Sequence, residues 1–319
     1  MPFHVLIPDN VDPAAIELLE NTDGFEVHAP GNLSREETEA AISQANAIIV
    51  RSATRPDAAL MDLAPHLKVI VRAGVGVDNI DLDAATERDI VVMNTPGANT
   101  TSTAEHTFAL MLSLARHVPR SHLNMNEGRW ERKTFQGVEL SGKTLGIVGF
   151  GRIGQSVAKR ALAFEMDVLA YDPYVDAAKM EEMGVQAATL DEIYADADFI
   201  TLHTAVTDET EDMLNAAAFG QMKKGVRIVN AARGALINER DLHAALEEGR
   251  VAGVALDVYT QEPPEADNPL IHHTSVVHTP HLAASTADAQ VTVAVQAAQH
   301  VIDALKSEDY QDVVNPDVL

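Results

Sequence analysis

The sequence predicts an α/β protein with two doubly wound parallel sheets. Three observations predict it: the length of the chain, the alternation of strand-like and helix-like segments, and one long helix that interrupts this alternation. The chain has 319 residues, and a single hydrophobic core rarely grows beyond roughly 250–300 residues. Short apolar runs alternate with helix-like segments throughout, which is typical of parallel sheets with crossover helices. A long apolar helix predicted over 100–116 separates two such series, 1–95 and 143–280.

The strands of both series are short apolar runs. They are 4–8, 47–50, 69–71, 90–93, 144–148, 168–171, 199–202, 227–229, 254–256 and 275–277. A final helix predicted over 283–306 follows the second series, and we expect it to pack back on the first. The predicted domains are therefore 1–97 with 285–319, and 98–284.

Composition excludes several classes of function. The 48 acidic residues outnumber the 23 basic ones, and a net charge of −25 repels nucleic acid and anionic membranes. The absence of cysteine excludes disulfides, zinc–thiolate sites and thiol catalysis, and no metal site is predicted. No apolar run approaches the roughly 18–20 residues of a membrane span, and the N-terminus lacks the pattern of a signal peptide. We therefore expect a cytoplasmic protein.

The choice of charged residues suggests the hypothesis that the protein is adapted to high salt. Eight lysines against 15 arginines, with many acids, are typical of surfaces adapted to a salty cytoplasm. An ordinary acidic protein is the alternative, and the sequence leaves both interpretations open.

A glycine-rich turn in the second series predicts dinucleotide binding. Gly149, Gly151 and Gly154 form G-x-G-x-x-G between an apolar strand and a helix, as the motif requires. The three glycines would allow a tight turn, approach of a pyrophosphate and close packing of helix on strand. The helix start, with Arg152 and Ile153, offers free N–H groups to phosphates.

An acidic residue ends the next predicted strand. Asp172 lies 18 residues after Gly154, where a carboxylate accepts hydrogen bonds from the adenosine ribose and repels a 2′-phosphate. We therefore predict a Rossmann-type domain at 98–284 that binds NAD rather than NADP.

Three polar segments follow later strands of the same series, at 230–234, 257–263 and 278–281. Ligands of open α/β sheets bind beyond the carboxyl ends of the strands, so Arg233, Glu262 and His281 should converge near the reactive end of the cofactor. Each of the three alone is more often structural. His203 and His278 also lie near strand ends, and we assign them to structure or to the surroundings of the cofactor.

The motifs N-A-A-R-G, D-x-x-x-x-E-P and T-P-H that carry these residues resemble the signature of the D-2-hydroxyacid dehydrogenases, over nearly the whole chain. The stretches 50–54, 72–79, 128–133 and 280–286 are similar to the branch that oxidises 3-phosphoglycerate. The resemblance implies a flavodoxin-like substrate domain at 1–97 with 285–319, and an active site in a cleft between the domains.

The chemistry of such a reaction suits the three residues. His281 accepts and donates the proton of the substrate hydroxyl near neutral pH. Glu262 would hold its other ring nitrogen and favour the imidazolium. Arg233 would bind the C1 carboxylate and the C2 oxygen with its planar guanidinium.

The resemblance implies further contacts. Asp257 would position the nicotinamide carboxamide, and the other residues assigned to the cofactor are Thr204, Ala231 and Val75. On the substrate side, Gly74, Val75 and Gly76 could form a nest of N–H groups for a carboxylate, with a plain turn as the alternative. The segment Arg51–Ser52 and Arg132 would bind the substrate, with both arginines on its phosphate and Arg132 reaching across from a second subunit.

Two positions depart from the family pattern. Val75 stands where a threonine is common near the pyrophosphate, and Ala283 stands where a glycine is common, so that its methyl group could crowd the nicotinamide. Because the sequence ends at Leu319, we expect no additional regulatory domain and no feedback through one.

The predicted reaction is therefore NAD-dependent oxidation of 3-phosphoglycerate to 3-phosphohydroxypyruvate, the opening step of serine synthesis, by a homodimer or higher homo-oligomer. A hydroxypyruvate or glyoxylate reductase is the alternative within the family. An NAD-sensing binding protein without catalysis is the alternative from another class.

Overall fold

The computed structural model describes residues 2–319, which fold as two compact units. One unit, here the terminal unit, combines the residues up to Asn99 with Ala284–Leu319; the other, the central unit, is Thr100–Ala283. These divisions lie two residues and one residue from the predicted boundaries at 97/98 and 284/285.

The terminal unit contains a parallel sheet of five strands among the described residues. The strands are β1 (Phe3–Leu6), β2 (Phe25–His28), β3 (Ala47–Val50), β4 (Val69–Arg72) and β5 (Val91–Met93). Their order, β2-β1-β3-β4-β5, is that of flavodoxin-like sheets, and it reverses between β1 and β3. In such sheets ligands bind beyond the carboxyl ends of the strands at this reversal.

Helices cover both faces of this sheet. They are α1 (Pro13–Glu20), α2 (Arg35–Ala41), α3 (Ala58–Asp62), α4 (Leu82–Thr86) and α13 (Ala287–Ser307). The last helix packs on α1 and on β4, and its buried alanines allow the close approach. The prediction that it starts at Ala283 is wrong. Thr286 is the N-cap and accepts a hydrogen bond from the Ala289 N–H, so α13 begins only after it.

The central unit contains a parallel sheet of seven strands within the part of the chain described. The strands are β6 (Thr144–Val148), β7 (Asp167–Tyr171), β8 (Gln186–Ala187), β9 (Phe199–Leu202), β10 (Val226–Asn230), β11 (Val251–Leu256) and β12 (Val276–His278). Their order is β12-β11-β10-β9-β6-β7-β8, which is the Rossmann arrangement extended by one strand. The predicted pair of doubly wound parallel sheets is confirmed.

The helices of the central unit are α5 (Thr100–Arg116), α6 (Val118–Asn126), α7 (Arg152–Ala163), α8 (Ala177–Glu182), α9 (Leu190–Asp196), α10 (Ala216–Gln221), α11 (Glu239–Glu247) and α12 (Pro269–His272). The long helix α5 packs on α7 and on the strands β10, β11 and β12, which explains its apolar sequence. Among residues 2–319, no helix has the length and apolar character needed to cross a membrane.

Candidate active site

The glycine-rich turn follows β6 at the point where the strand order of the central sheet reverses, between β6 and β9. Gly149 has a φ of +93°, which glycine adopts without strain. A Cβ added there would lie 2.5 Å from the carbonyl group of His203, just after β9. The turn therefore packs directly against the backbone of His203–Thr204, and the structure brings the predicted residue Thr204 next to it.

The two other glycines of the motif differ in their surroundings. A Cβ on Gly154 would lie 2.2 Å from the Gly149 carbonyl oxygen, so this glycine allows α7 to start against the turn. A Cβ on Gly151 would have no described atom within 4 Å. The open space in front of Gly151 and the first N–H groups of α7, at Arg152 and Ile153, fit the pyrophosphate of a dinucleotide.

Asp172 lies beside this turn, directly after β7. Its carboxylate accepts hydrogen bonds from the Phe150 N–H at 2.7 Å and from the Tyr174 N–H at 2.9 Å. A partly exposed carboxylate next to the turn fits the adenosine ribose of NAD, and contact with the ribose stays a prediction. Another titratable group near the turn is His203, whose pKa burial lowers to about 4, so its ring is neutral near pH 7.

A second polar turn follows β10 and carries Arg233. Asn230, fully buried at the end of β10, accepts from the Ala232 N–H at 3.0 Å and donates to the Arg233 carbonyl at 2.8 Å. Its side chain thus holds the backbone of Ala231–Arg233 in shape. The sequence analysis did not single out Asn230, although an amide directly at a strand end was a usable signal.

The Arg233 turn contacts the next loop along the sheet. A Cβ on Gly234 would lie 2.0 Å from the Tyr259 carbonyl carbon, so the two backbones meet where only glycine fits. The Tyr259 N–H in turn donates to Glu262 at 3.1 Å. The structure therefore places Arg233 and Glu262 on loops in direct contact.

Glu262 and His281 form a direct side-chain pair in the candidate site. The His281 Nδ1 lies 2.7 Å from Glu262 Oε2, while half of the His281 side chain is exposed. Its Nε2 edge is thus open to a ligand while the carboxylate holds Nδ1. A pocket of about 370 Å³ lies against the pair, with mostly apolar walls from Tyr259, Glu262–Pro264 and His278–His281.

Asp257, between β11 and this loop, is fully buried and surrounded by donors. They are Thr279 Oγ1 at 2.5 Å, the Leu282 N–H at 2.8 Å, the Ala283 N–H at 2.8 Å and His106 Nε2 at 3.2 Å. Burial by itself would raise the pKa of Asp257, but these hydrogen bonds hold it below its usual value. The implied contact between Asp257 and a nicotinamide carboxamide stays a prediction. Ala283, one of the two positions that depart from the family pattern, is buried in the core of the central unit.

In the terminal unit, the predicted substrate residues Arg51 and Ser52 follow β3 at the reversal of strand order. The buried carboxylate of Asp9, just after β1, accepts from the N–H of Arg51 and from the Thr54 hydroxyl at 2.6 Å. Asn79 donates to the carbonyls of Arg51 and Thr54 at 2.8 and 2.6 Å. The loop is thus held from two sides by Asp9 and Asn79, which the sequence analysis did not single out.

The predicted nest at Gly74–Gly76 needs a correction. The Gly74 N–H donates to the Arg72 carbonyl at 2.8 Å, so it is not directed at an anion. The N–H groups of Val75 and Gly76 keep the predicted role. Arg132 is exposed at the start of a 3₁₀ turn, Arg132–Phe135, in the central unit, and its action with Arg51 stays a prediction.

Comparisons with known proteins identify the family to which the chain belongs. The family described as "D-isomer specific 2-hydroxyacid dehydrogenase, NAD binding domain" matches residues 108–283. A D-3-phosphoglycerate dehydrogenase of Archaeoglobus fulgidus is 47% identical over 98% of this chain, and the chain spans 59% of the length of that relative. Among solved structures, the TT0316 protein of Thermus thermophilus is 36% identical with a TM-score of 0.88, over 98% of this chain and all of the other.

A glyoxylate reductase from Paecilomyes thermophila is also similar, with 30% identity and a TM-score of 0.89 over 99% of both chains. The protein belongs to the D-isomer specific 2-hydroxyacid dehydrogenases. Its central unit carries the NAD-binding domain of that family, so the predicted cofactor is confirmed.

Proposed function

We propose that the protein oxidises D-3-phosphoglycerate at C2 to 3-phosphohydroxypyruvate with NAD, the opening step of serine synthesis. The observation that carries this proposal is the 2.7 Å pair of His281 and Glu262 on loops in contact with the Arg233 turn. The relative from Archaeoglobus fulgidus, which bears the name D-3-phosphoglycerate dehydrogenase, supports the choice of substrate.

Each side chain has one task in this reaction. His281 takes the proton from the C2 hydroxyl at its free Nε2 as C2 becomes a carbonyl. Glu262 accepts the Nδ1 proton in a hydrogen bond and stabilises the imidazolium that forms. Arg233 binds the C1 carboxylate through two parallel N–H groups, which orients C2. The turn at Gly149–Gly154 and Asp172 would hold NAD, which would supply the acceptor for the hydride that leaves C2.

The phosphate of the substrate is assigned to Arg51 and Arg132. In a chain of net charge −25, a dianionic substrate needs local cations to overcome the overall field. The loop of Arg51 lies at the reversal of its sheet, where ligands of such sheets bind. A rigid loop lowers the entropy cost of binding, which supports this assignment.

We also propose a cytoplasmic homodimer in which Arg132 reaches the substrate of the second subunit. Large apolar side chains are exposed in α6 and just beyond it, including Leu123, Met125 and Trp130, the last of these 73% exposed. Exposed apolar groups close together in sequence favour association. Arg132 follows Trp130 by two residues and would lie at such an interface.

The substrate assignment is tested by following NADH formation with 3-phosphoglycerate and D-glycerate. We expect Arg51→Ala to lower kcat/KM for 3-phosphoglycerate by about 10- to 100-fold, since a charge-assisted contact is lost, and to change kcat/KM for D-glycerate far less. Arg55→Ala, on the same loop, is the matched control.

A protein that turns over glyoxylate or hydroxypyruvate well and 3-phosphoglycerate poorly would instead be the reductase. The similarity to the glyoxylate reductase is the observation that supports reduction of such keto acids as the second candidate function. An equal loss on both substrates in Arg51→Ala would contradict a role of Arg51 in binding phosphate.

A further inference from the structure

The backbone around His281 is held by a single buried residue. The N–H of His281 donates to the Asp257 carbonyl at 2.8 Å. The next two N–H groups, of Leu282 and Ala283, donate to the two oxygens of the Asp257 carboxylate. His281 itself has a φ of +55°, a conformation that costs free energy in any residue with a Cβ. These hydrogen bonds compensate that cost and set the direction of the imidazole.

One donor to the Asp257 carboxylate comes from outside this loop, namely His106 on α5. Its Nε2 lies 3.2 Å from Asp257 Oδ1 and 3.1 Å from Thr279 Oγ1. Helix α5 packs on β11 and β12, the strands that precede Asp257 and Thr279. His106 therefore connects a rigid helix to the base of the loop that carries His281.

The donors and acceptors around His106 determine which of its nitrogens carries a proton. An ionised carboxylate only accepts, and a hydroxyl has a single proton to donate. The Thr279 hydroxyl donates that proton to Asp257, at 2.5 Å. Both neighbours of the His106 Nε2 are then acceptors, so Nε2 carries a hydrogen and donates to them.

We propose that His106 is a positioning residue for His281: through Asp257 and Thr279 it keeps the Thr279–Ala283 backbone in the geometry that presents the imidazole. The role of His281 in proton transfer rests on the proposed function, whereas the support of the loop by His106 does not. Without the His106 donor, the buried carboxylate is undercompensated and competes for other partners, so the loop it holds becomes mobile.

The test compares two amide substitutions of His106 that differ in length. In His106→Gln the amide nitrogen takes the place of Nε2 and can donate to Asp257, whereas in His106→Asn the amide is too short to do so. Thr107→Val, which removes a buried hydroxyl bonded within the same helix, is the control for a loss of stability alone.

The first readout is backbone amide hydrogen exchange over 279–285 in the protein without ligand. We expect exchange there to become about 10- to 100-fold faster in His106→Asn, as loss of a hydrogen bond to a charged group implies. It should stay near the wild-type rate in His106→Gln and in Thr107→Val. Equal exchange in the two His106 variants would overturn the proposal.

The second readout is steady-state oxidation of the hydroxy acid. We expect kcat to fall roughly 10- to 100-fold in His106→Asn, because a displaced general base no longer meets the hydroxyl, and to recover in His106→Gln. KM for the substrate should change much less. A rise in KM without a fall in kcat would contradict positioning of His281.

If the wild type proved inactive on 3-phosphoglycerate, the proposed function would fail. The exchange experiment would still show whether His106 supports the loop.

Discussion

Glu262 and His281 lie 19 residues apart in the chain, yet their side chains meet at 2.7 Å. We expect Glu262→Gln to lower kcat by roughly 10²- to 10⁴-fold, because an amide neither stabilises the imidazolium nor selects the productive tautomer. Stopped-flow measurement of NADH formation reports the effect, with Glu265→Gln, exposed on the same loop, as the control. Comparable rates in the two variants would remove Glu262 from the mechanism.

At the residue scale, the burial of His203 also predicts how the stability of the protein depends on pH. Burial lowers its pKa to about 4, below the value of roughly 6.5 in an unfolded chain. Between these values the unfolded state binds more protons than the folded state, so stability falls as the pH falls from about 6.5 to about 4. This contribution of His203 to the pH dependence amounts to about 3 kcal/mol at most over that range.

This contribution is measured by urea unfolding between pH 4 and 7.5. The difference in the free energy of unfolding between the wild type and His203→Gln should shrink as the pH is lowered. A difference that does not vary with pH would mean that His203 titrates normally in the folded protein.

At the scale of elements, the sequence predicted best where one strand or helix is self-contained. The strands 47–50, 144–148 and 199–202 and the helix 100–116 have the predicted bounds, since apolar runs of that length are visible locally. The two-residue strand β8 and the start of α13 were not predicted. Both depend on contacts that a local pattern does not show. Strand β8 forms because it pairs with β7, and α13 begins after Thr286 because that residue caps it.

The junction of β6 and α7 provides the prediction at this scale. We expect Gly154→Ala to weaken NAD binding by at least about tenfold and to lower the melting temperature, because its Cβ would overlap the Gly149 carbonyl oxygen. Fluorescence titration with NADH and thermal unfolding report the two effects.

Gly220→Ala is the matched control, since no described atom lies within 4 Å of its added Cβ on α10. An alanine inside a helix should stabilise the protein by about 0.5–1 kcal/mol there. If both variants behaved alike, the contact between the turn and the helix would not limit binding.

At the scale of the whole molecule, the net charge of −25 is the feature that most affects how stability depends on salt. Repulsion among exposed carboxylates opposes the compact state, and salt screens it, with a Debye length of about 10 Å at 0.1 M and about 3 Å at 1 M. We expect the melting temperature to rise as KCl is increased from about 0.05 to roughly 2 M. Sucrose, which stabilises without screening, is the comparison. A melting temperature unchanged by KCl would remove the hypothesis of adaptation to salt.

The class of fold, the dinucleotide turn and the motifs that carry Arg233, Glu262 and His281 could all be predicted from the order of the amino acids. These features are local, because strand periodicity, turn glycines and residues at strand ends are all read within a few positions. The side chains that support these motifs could not be predicted in this way and became visible in the folded chain. His106 meets Asp257 across 151 residues and Asp9 meets Arg51 across 42, since a buried carboxylate must find its donors in space, wherever the chain happens to bring them.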